Sequence, residues 1–437
     1  MWSVLSTLHI SNCCATTKYV ARNRYIKKIW NFIDTPVVKV LVGMRRVGKS
    51  VILKMLIDEL IKNGAPPSHI LYINKESLEF DDIKNYRHLY QYAKRYFAGN
   101  SNTNIEHNNR EQHHNYIFVD EIQEIEEWEK AVASFSADQL GDVIISGSNA
   151  NLLSTELATL LSGRYVEIPI HPLTFQEFLQ FRRCRAQSNS TDIESEFANF
   201  LRYGGLPGIH SLRFEDEVIF NYLNSIVNTV LYKDVVGRHS VRDVASLDRI
   251  VEYVFDNIGN ITTAKKIADY FKGKGIKVSI DTVLNYISYL ESSLLIDKVP
   301  RYDIKGKKLL EFYDKLFVND VGLRHGLIGY KEQDVNGVLE NIVYKDLVSK
   351  GYTVKIGVLN NGEVDFIAET QKERKYIQVC YTLNSKEIVE REFGNLEKIK
   401  DNYEKIVLSM DKFFPEERMG IKHQYLINAL AQGSEVY

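Results

Sequence analysis

Short apolar runs separated by helical spacing dominate the first third of the chain. Val38–Val42 is a run rich in β-branched residues that ends at a glycine, and 69–73, 116–119, 143–145 and 165–168 are similar. Runs apolar on both faces suit strands of a covered parallel sheet. Between the first two, Leu53, Leu56, Ile57, Leu60 and Ile61 recur at i, i+3, i+4, i+7 and i+8, which makes one helix face. The alternation predicts βαβ units and an α/β sheet. From about 172 to 330 the pattern turns mainly helical. From about 337 it predicts a helix, a β-hairpin and a further helix. Three domains are expected: a core at 19–171, a helical region at 172–330 and an α+β domain at 331–437.

Composition narrows the function classes. Of 437 residues 44% are hydrophobic and 26% charged, which excludes wholesale disorder. There are 55 Lys+Arg against 57 Asp+Glu, a net charge of −2 that excludes a globally basic nucleic-acid binder. The charge is local instead. Residues 1–50 hold nine bases and one acid, 121–129 five glutamates and no base, and 260–308 ten bases and five acids. No apolar run reaches the roughly 18 residues of a membrane span. Residues 1–10 lack the basic start of a signal peptide. Cys13, Cys14, Cys184 and Cys380 form no CxxC pair and no disulfide framework, so a cytoplasmic location is expected. The polar stretches 99–115 and 182–192 read as loops.

The chemistry begins after the first strand. Gly43-Met44-Arg45-Arg46-Val47-Gly48-Lys49-Ser50 matches G-x-x-x-x-G-K-[ST] and, with Val51, opens a helix. Glycines let backbone N–H groups close around phosphate oxygens, and the helix N-terminus adds positive charge. Lys49 is expected to reach the β- and γ-phosphates and Ser50 to ligate Mg²⁺. Arg45 and Arg46 project from the loop, equally suited to charge stabilisation or to solvent. Tyr116-Ile117-Phe118-Val119-Asp120-Glu121 is a strand ending in two acids. Asp120 is expected to hold Mg²⁺ through water and Glu121 to act as general base. Ser148 or Asn149, after the strand at 142–145, is placed to orient the water or to cap a helix. Arg164 is the candidate cation for sensing the γ-phosphate, in its own chain or a neighbouring subunit.

These motifs, with Gln123 and Trp128, Ser146-Gly147-Ser148, Ser162-Gly163-Arg164 and Pro172-Leu173-Thr174-Phe175, resemble prokaryotic AAA-like ATPases with a C-terminal domain of uncharacterised function. Tyr203-Gly204-Gly205-Leu206-Pro207, Tyr232-Lys233-Asp234, Tyr313-Asp314, Asn319-Asp320-Val321-Gly322 and Glu363-Val364-Asp365-Phe366 extend the resemblance over nearly the whole chain from about Tyr19. The resemblance implies a P-loop NTPase of AAA+-like class that uses ATP and Mg²⁺. It implies no particular substrate.

Downstream, Thr262 or Thr263 caps a predicted helix to about Phe271, and Ser279 opens a second to about Ser292. Strands at 294–299 and 308–312 flank a basic turn at 301–307. This order is a winged-helix pattern. It would bring the second helix to DNA, with Lys305, Lys307 and Lys308 on phosphates, or pack against the core. At the C-terminal end Glu340, Asp365, Gln378 and Cys380 look like a PD-(D/E)xK nuclease site that has lost an acid and its lysine. Lys386 and Lys345 are the candidates for a cation from another element. Cleavage is therefore not expected.

The sequence reading is an Mg²⁺-dependent ATPase, a motor or switch engaging DNA or a protein partner, with no membrane association and with homo-oligomers as the setting for Arg164. The alternatives are a nucleotide-gated DNA- or protein-binding regulator with little turnover, and an ATP-regulated nuclease. Glu121 favours the first over the second, since a pure binder needs no water-activating base. Cys380 weighs against the third.

Overall fold

The computed structural model describes residues 19–100, 114–150, 159–161, 163–185 and 192–432. Residues 101–113, 151–158 and 186–191, Ser162, Cys13 and Cys14 lie outside them. The chain forms two compact units, divided between Ile170 and His171.

The first unit is a five-stranded parallel sheet with flanking helices, the P-loop NTPase fold. Its strands are β1 (Val38–Val42), β2 (Ile70–Asn74), β3 (Tyr116–Asp120), β4 (Asp142–Gly147) and β5 (Tyr165–Pro169), in the order β2-β3-β4-β1-β5. β1, β3 and β4 are buried throughout, as their two-sided apolar runs predict. Helix α1 (Asn23–Trp30) precedes β1. Helix α2 (Lys49–Lys62) buries Ile52, Leu53, Leu56 and Leu60. Helices α3 (Tyr86–Asn100) and α4 (Trp128–Ala137) follow β2 and β3, and α4 buries Trp128, Val132 and Phe135. The central strands are pinned by a buried ion pair, Lys39 of β1 with Asp142 of β4.

The second unit opens with α5 (Phe175–Arg185), α6 (Ile193–Tyr203), α7 (Asp216–Thr229) with its π-helical extension Val230–Val236, and α8 (Val244–Asp256). Thr174 and Glu177 exchange backbone-to-side-chain hydrogen bonds of 3.2 and 3.3 Å, a capping box that starts α5. Phe175, Phe178, Phe197 and Phe200 stack around the start of this bundle. Asp320 ties its loops together: its carboxylate accepts from the N–H groups of Gly205 at 2.6 Å and Gly322 at 2.9 Å. Gly204 sits at φ +73, and a Cβ there would lie 2.1 Å from the Asp320 carboxylate.

Next come α9 (Ala264–Gly273), capped by Thr263, and α10 (Ile280–Ser292), capped by Ser279, as the pattern predicts. The hairpin β6 (Ile296–Asp303) and β7 (Lys308–Val318) differs from expectation. Both strands are longer, and the turn shrinks to residues 304–307. Arg301, Tyr302 and Asp303 are held in β6 because they pair antiparallel with β7 and parallel with β8 (Thr353–Leu359).

Through that pairing the hairpin joins one eight-stranded mixed sheet. The other strands are β9 (Gly362–Glu369), β10 (Arg374–Cys380), β11 (Glu404–Ser409), β12 (Glu417–Arg418) and β13 (Ile421–Tyr425). Helices α11 (Val321–Ile328), α12 (Val335–Ser349), α13 (Lys386–Glu397) and α14 (Leu426–Gln432) complete the unit. These elements, from His171 onward, form the second compact unit. Cys184 is disulfide-bonded, against the expectation from cysteine spacing, and Cys380 is a buried free thiol. Among the described residues no helix is long and apolar enough to cross a membrane.

Candidate nucleotide site and a second acidic pocket

Three strands of the first unit end at one place. The carboxyl ends of β1, β3 and β4 carry the Gly43 loop, Asp120 with Glu121, and Ser146 to Asn149, as ligand sites in parallel sheets require. The loop turns into α2 through Arg46 at φ +68 and Gly48 at φ +99. Gly48 is the N-cap, so no side chain occupies the first-turn N–H groups of α2.

Lys49 is buried, and its ammonium donates to the carbonyls of Gly43 at 2.9 Å and Met44 at 3.3 Å. It also lies 3.4 Å from Glu121 Oε1. Glu121 takes a left-handed backbone, φ +55, which turns its side chain out of the strand alternation. Its Oε2 accepts from Ser148 Oγ at 3.0 Å and from Gln123 Nε2. Arg45, also buried, stands 3.9 Å from Glu121 and from Glu76 and Glu124. Burial works against the charge of Glu121, but Lys49, Gln123, Arg45 and Ser148 outweigh it and hold the carboxyl below its ordinary range. Asp120 is buried and accepts from Ser146 Oγ and from Tyr72 at 3.1 Å. Arg46 and Val51 are exposed, and Ser50 is half-buried on the first turn of α2.

The donor set suits a magnesium nucleotide: free helix N–H groups, a lysine, a hydroxyl and an oriented aspartate. Ser148 and Asn149 are both buried beside these strands, and Ser148 Oγ donates to Glu121 Oε2. Gln123 and Tyr72, which donate to Glu121 and Asp120, are neighbours that the sequence reading left without a role. The position of Gln123, two residues after Glu121, was the available signal. Arg164 lies elsewhere. It is exposed at the start of β5, and its carbonyl accepts from the N–H of Val38, the first residue of β1. The phosphate loop follows the other end of β1, so Arg164 does not belong to the site of its own chain.

In the second unit the predicted site residues also converge, but around an unpredicted lysine. Lys315 of β7 lies 3.2 Å from Glu340 of α12, 2.7 Å from Glu363 and 3.9 Å from Asp365, both of β9. Burial opposes its charge, yet these carboxylates prevail and raise its pKa above the ordinary lysine value. Asp365 and Gln378 interlock: Asp365 N–H donates to Gln378 Oε1 at 3.3 Å, and Val379 N–H donates to Asp365 Oδ2 at 2.8 Å. Burial, with Glu392 and Asp365 nearby, pushes the Cys380 thiol up, so it is neutral. Lys345 instead pairs with Asp297 at 2.8 Å, and Lys386 is exposed beside Glu390. Neither supplies the missing cation. Among the described residues no three His, Cys, Asp or Glu side chains are grouped to hold a metal ion.

An AAA domain family model matches residues 35–179, and a domain of unknown function (DUF8612) matches 194–334. An uncharacterised protein of Haemophilus influenzae is 35% identical over 413 residues, covering 94% of this chain and 99% of the relative. An uncharacterised protein of Methanocaldococcus jannaschii is 30% identical over 411 residues, covering 91% and 85%. Among solved structures, the Walker-type ATPase PABY2304 of Pyrococcus abyssi aligns at 16% identity and TM-score 0.45, covering 71% of this chain and 96% of that one. The Aeropyrum pernix Orc1 protein, in complex with DNA, aligns at 13% identity and TM-score 0.32, covering 71% and 92%.

Proposed function

The chain belongs to one family with its Haemophilus influenzae relative and carries an AAA domain, and on that premise we propose that it binds and hydrolyses Mg²⁺·ATP as a switch or motor. The observation that carries this reading is the meeting of Lys49, Asp120, Glu121 and Ser148 at the ends of β1, β3 and β4. The first-turn N–H groups of α2 and Lys49 bind the phosphates. Ser50 and Asp120 would hold Mg²⁺, which neutralises charge on the β- and γ-phosphates. Glu121, kept anionic by Lys49, orients water and takes its proton, while Ser148 and Gln123 fix the carboxylate. The test is steady-state phosphate release by wild type and Glu121→Gln. Equal rates would remove Glu121 as base.

The pairing of Glu121 with Lys49 favours a second reading, a nucleotide-gated regulator with slow basal turnover that a partner stimulates. Homo-oligomers fit either reading, since Arg164 can serve only a site outside its own chain. DNA remains the proposed partner of the helix–turn–helix–hairpin segment. Contact would run through Lys305, Lys307 and Lys308 at the hairpin tip rather than through α10. That helix has no basic residue and exposes Asp281, Leu284 and Glu291.

A further inference from the structure

A groove of the second unit lies between α8, α9 and α11. Its volume is about 780 Å³, within the roughly 300–1,000 Å³ of ligand clefts. Tyr253 of α8 and Tyr270 and Phe271 of α9 form an aromatic cluster along it. The ring centroids of Tyr253 and Tyr270 are 4.7 Å apart, and those of Tyr270 and Phe271 5.3 Å. Phe271 is buried, but Tyr270 is 41% exposed, so its ring is open to a ligand.

The rim is cationic. Arg249, Lys274 and Lys331 line the groove with Glu252 and Asp256. Lys331 pairs with Asp256 at 2.8 Å. Arg249 and Lys274 form no ion pair among the described residues, and the Lys274 ammonium lies instead 4.5 Å from the centroid of the Tyr270 ring. Positive charge continues past the groove along α9 and the turn after it. Lys265, Lys266, Lys272, Lys274 and Lys277 are all exposed, and Asp269 is the single acid among residues 264–277. A basic stripe of this kind on a chain of net charge −2 is the electrostatic footprint of a polyanion.

We propose that this groove takes a single strand of DNA, with a base stacked on Tyr270 and the backbone following the lysines of α9. The inference rests on the preceding reading for the class of partner alone. A small anion would engage the groove cations and leave the lysines beyond it unused, whereas a polyanion uses both. The bases of a duplex are stacked on one another and show only their edges, whereas an unpaired base offers its face to an aromatic ring. The entering base takes the place of the Lys274 ammonium over Tyr270, and the ammonium passes to the adjacent phosphate.

The experiment follows fluorescence anisotropy of a labelled oligothymidine of about 16 nucleotides, of its duplex with the complementary strand, and of a poly-glutamate peptide, on nucleotide-free full-length protein. The single strand is expected to bind most tightly. Tyr270→Ala should weaken it roughly tenfold and Tyr270→Phe should not, because stacking uses the ring and not the hydroxyl. Lys274→Ala should lower the slope of log affinity against log salt by about 0.7. The triple variant Lys305→Ala/Lys307→Ala/Lys308→Ala, at the hairpin tip, should leave single-strand affinity unchanged. Binding lost in the triple variant and unaffected by Tyr270→Ala would keep DNA at the hairpin and overturn the groove. Absence of single-strand binding, or tighter binding of the duplex or of poly-glutamate, overturns it as well. If Tyr270→Ala does not fold, the salt slope of Lys274→Ala decides alone.

Discussion

Lys49 Nζ stands 3.4 Å from Glu121 Oε1, so the ammonium proposed to hold phosphate is paired with the carboxylate proposed to activate water. A triphosphate competes with Glu121 for Lys49. Glu121→Gln removes that competitor, and it should bind ATP at least as tightly as wild type while losing turnover by roughly 10²-fold or more. Calorimetry for affinity and phosphate release for rate check the two halves separately. Lys49→Ala should instead abolish measurable ATP binding.

Arg164 gives a prediction about assembly. Because it lies at the end of β1 and β5 opposite the phosphate loop, its action on nucleotide requires another copy of the chain. Arg164→Ala and Lys49→Ala proteins should each be inactive alone and regain activity when mixed. Folded variants that show no recovery would remove the assignment in trans.

The Lys39–Asp142 pair governs stability rather than chemistry. Lys39→Met leaves Asp142 buried without its cation and should cost about 3–5 kcal/mol in urea denaturation. The double variant Lys39→Met/Asp142→Leu should recover much of that loss, because a buried pair replaced by apolar groups is often neutral.

His210 sets an acid limit. It is buried among Phe178, Phe181 and Phe214, neither ring nitrogen has a hydrogen-bond partner among the described residues, and burial lowers its pKa from 6.5 to about 3. Between those values the unfolded chain binds a proton that the folded chain refuses. Stability is therefore intact above about pH 6.5 and falls as pH drops, by about 2 kcal/mol at pH 5. His210→Leu should shrink the stability difference between pH 7 and pH 5 by that amount. His325, lowered to about 4 by burial, acts in the same direction and remains in the variant.

The nucleotide site was legible because its determinants are local. A glycine-rich octet, a strand end with two acids and β-branched runs each announce themselves within ten residues. Lys315 was not legible for the opposite reason. A lysine in an apolar run reads as a strand end, and the predicted strand stopped at 312. The strand continues through Leu316, Phe317 and Val318 because Glu340, Glu363 and Asp365, 25 to 50 positions later, neutralise the buried ammonium. Periodicity carries no record of such compensation. Glu392 was missed likewise, as one acid on a charged helix whose burial depends on packing against the sheet.

The parallel pairing of β6 with β8 also decides how the polypeptide can be divided. Severed near residue 330, the C-terminal piece would expose the flank of β8 at Ile356, Gly357 and Val358, a row of unpaired N–H and C=O groups ready to template aggregation. The N-terminal piece would carry a hairpin with no sheet to join. Fragments for expression, domain exchange and insertion of reporters should respect the junction between Ile170 and His171, where both sheets stay whole.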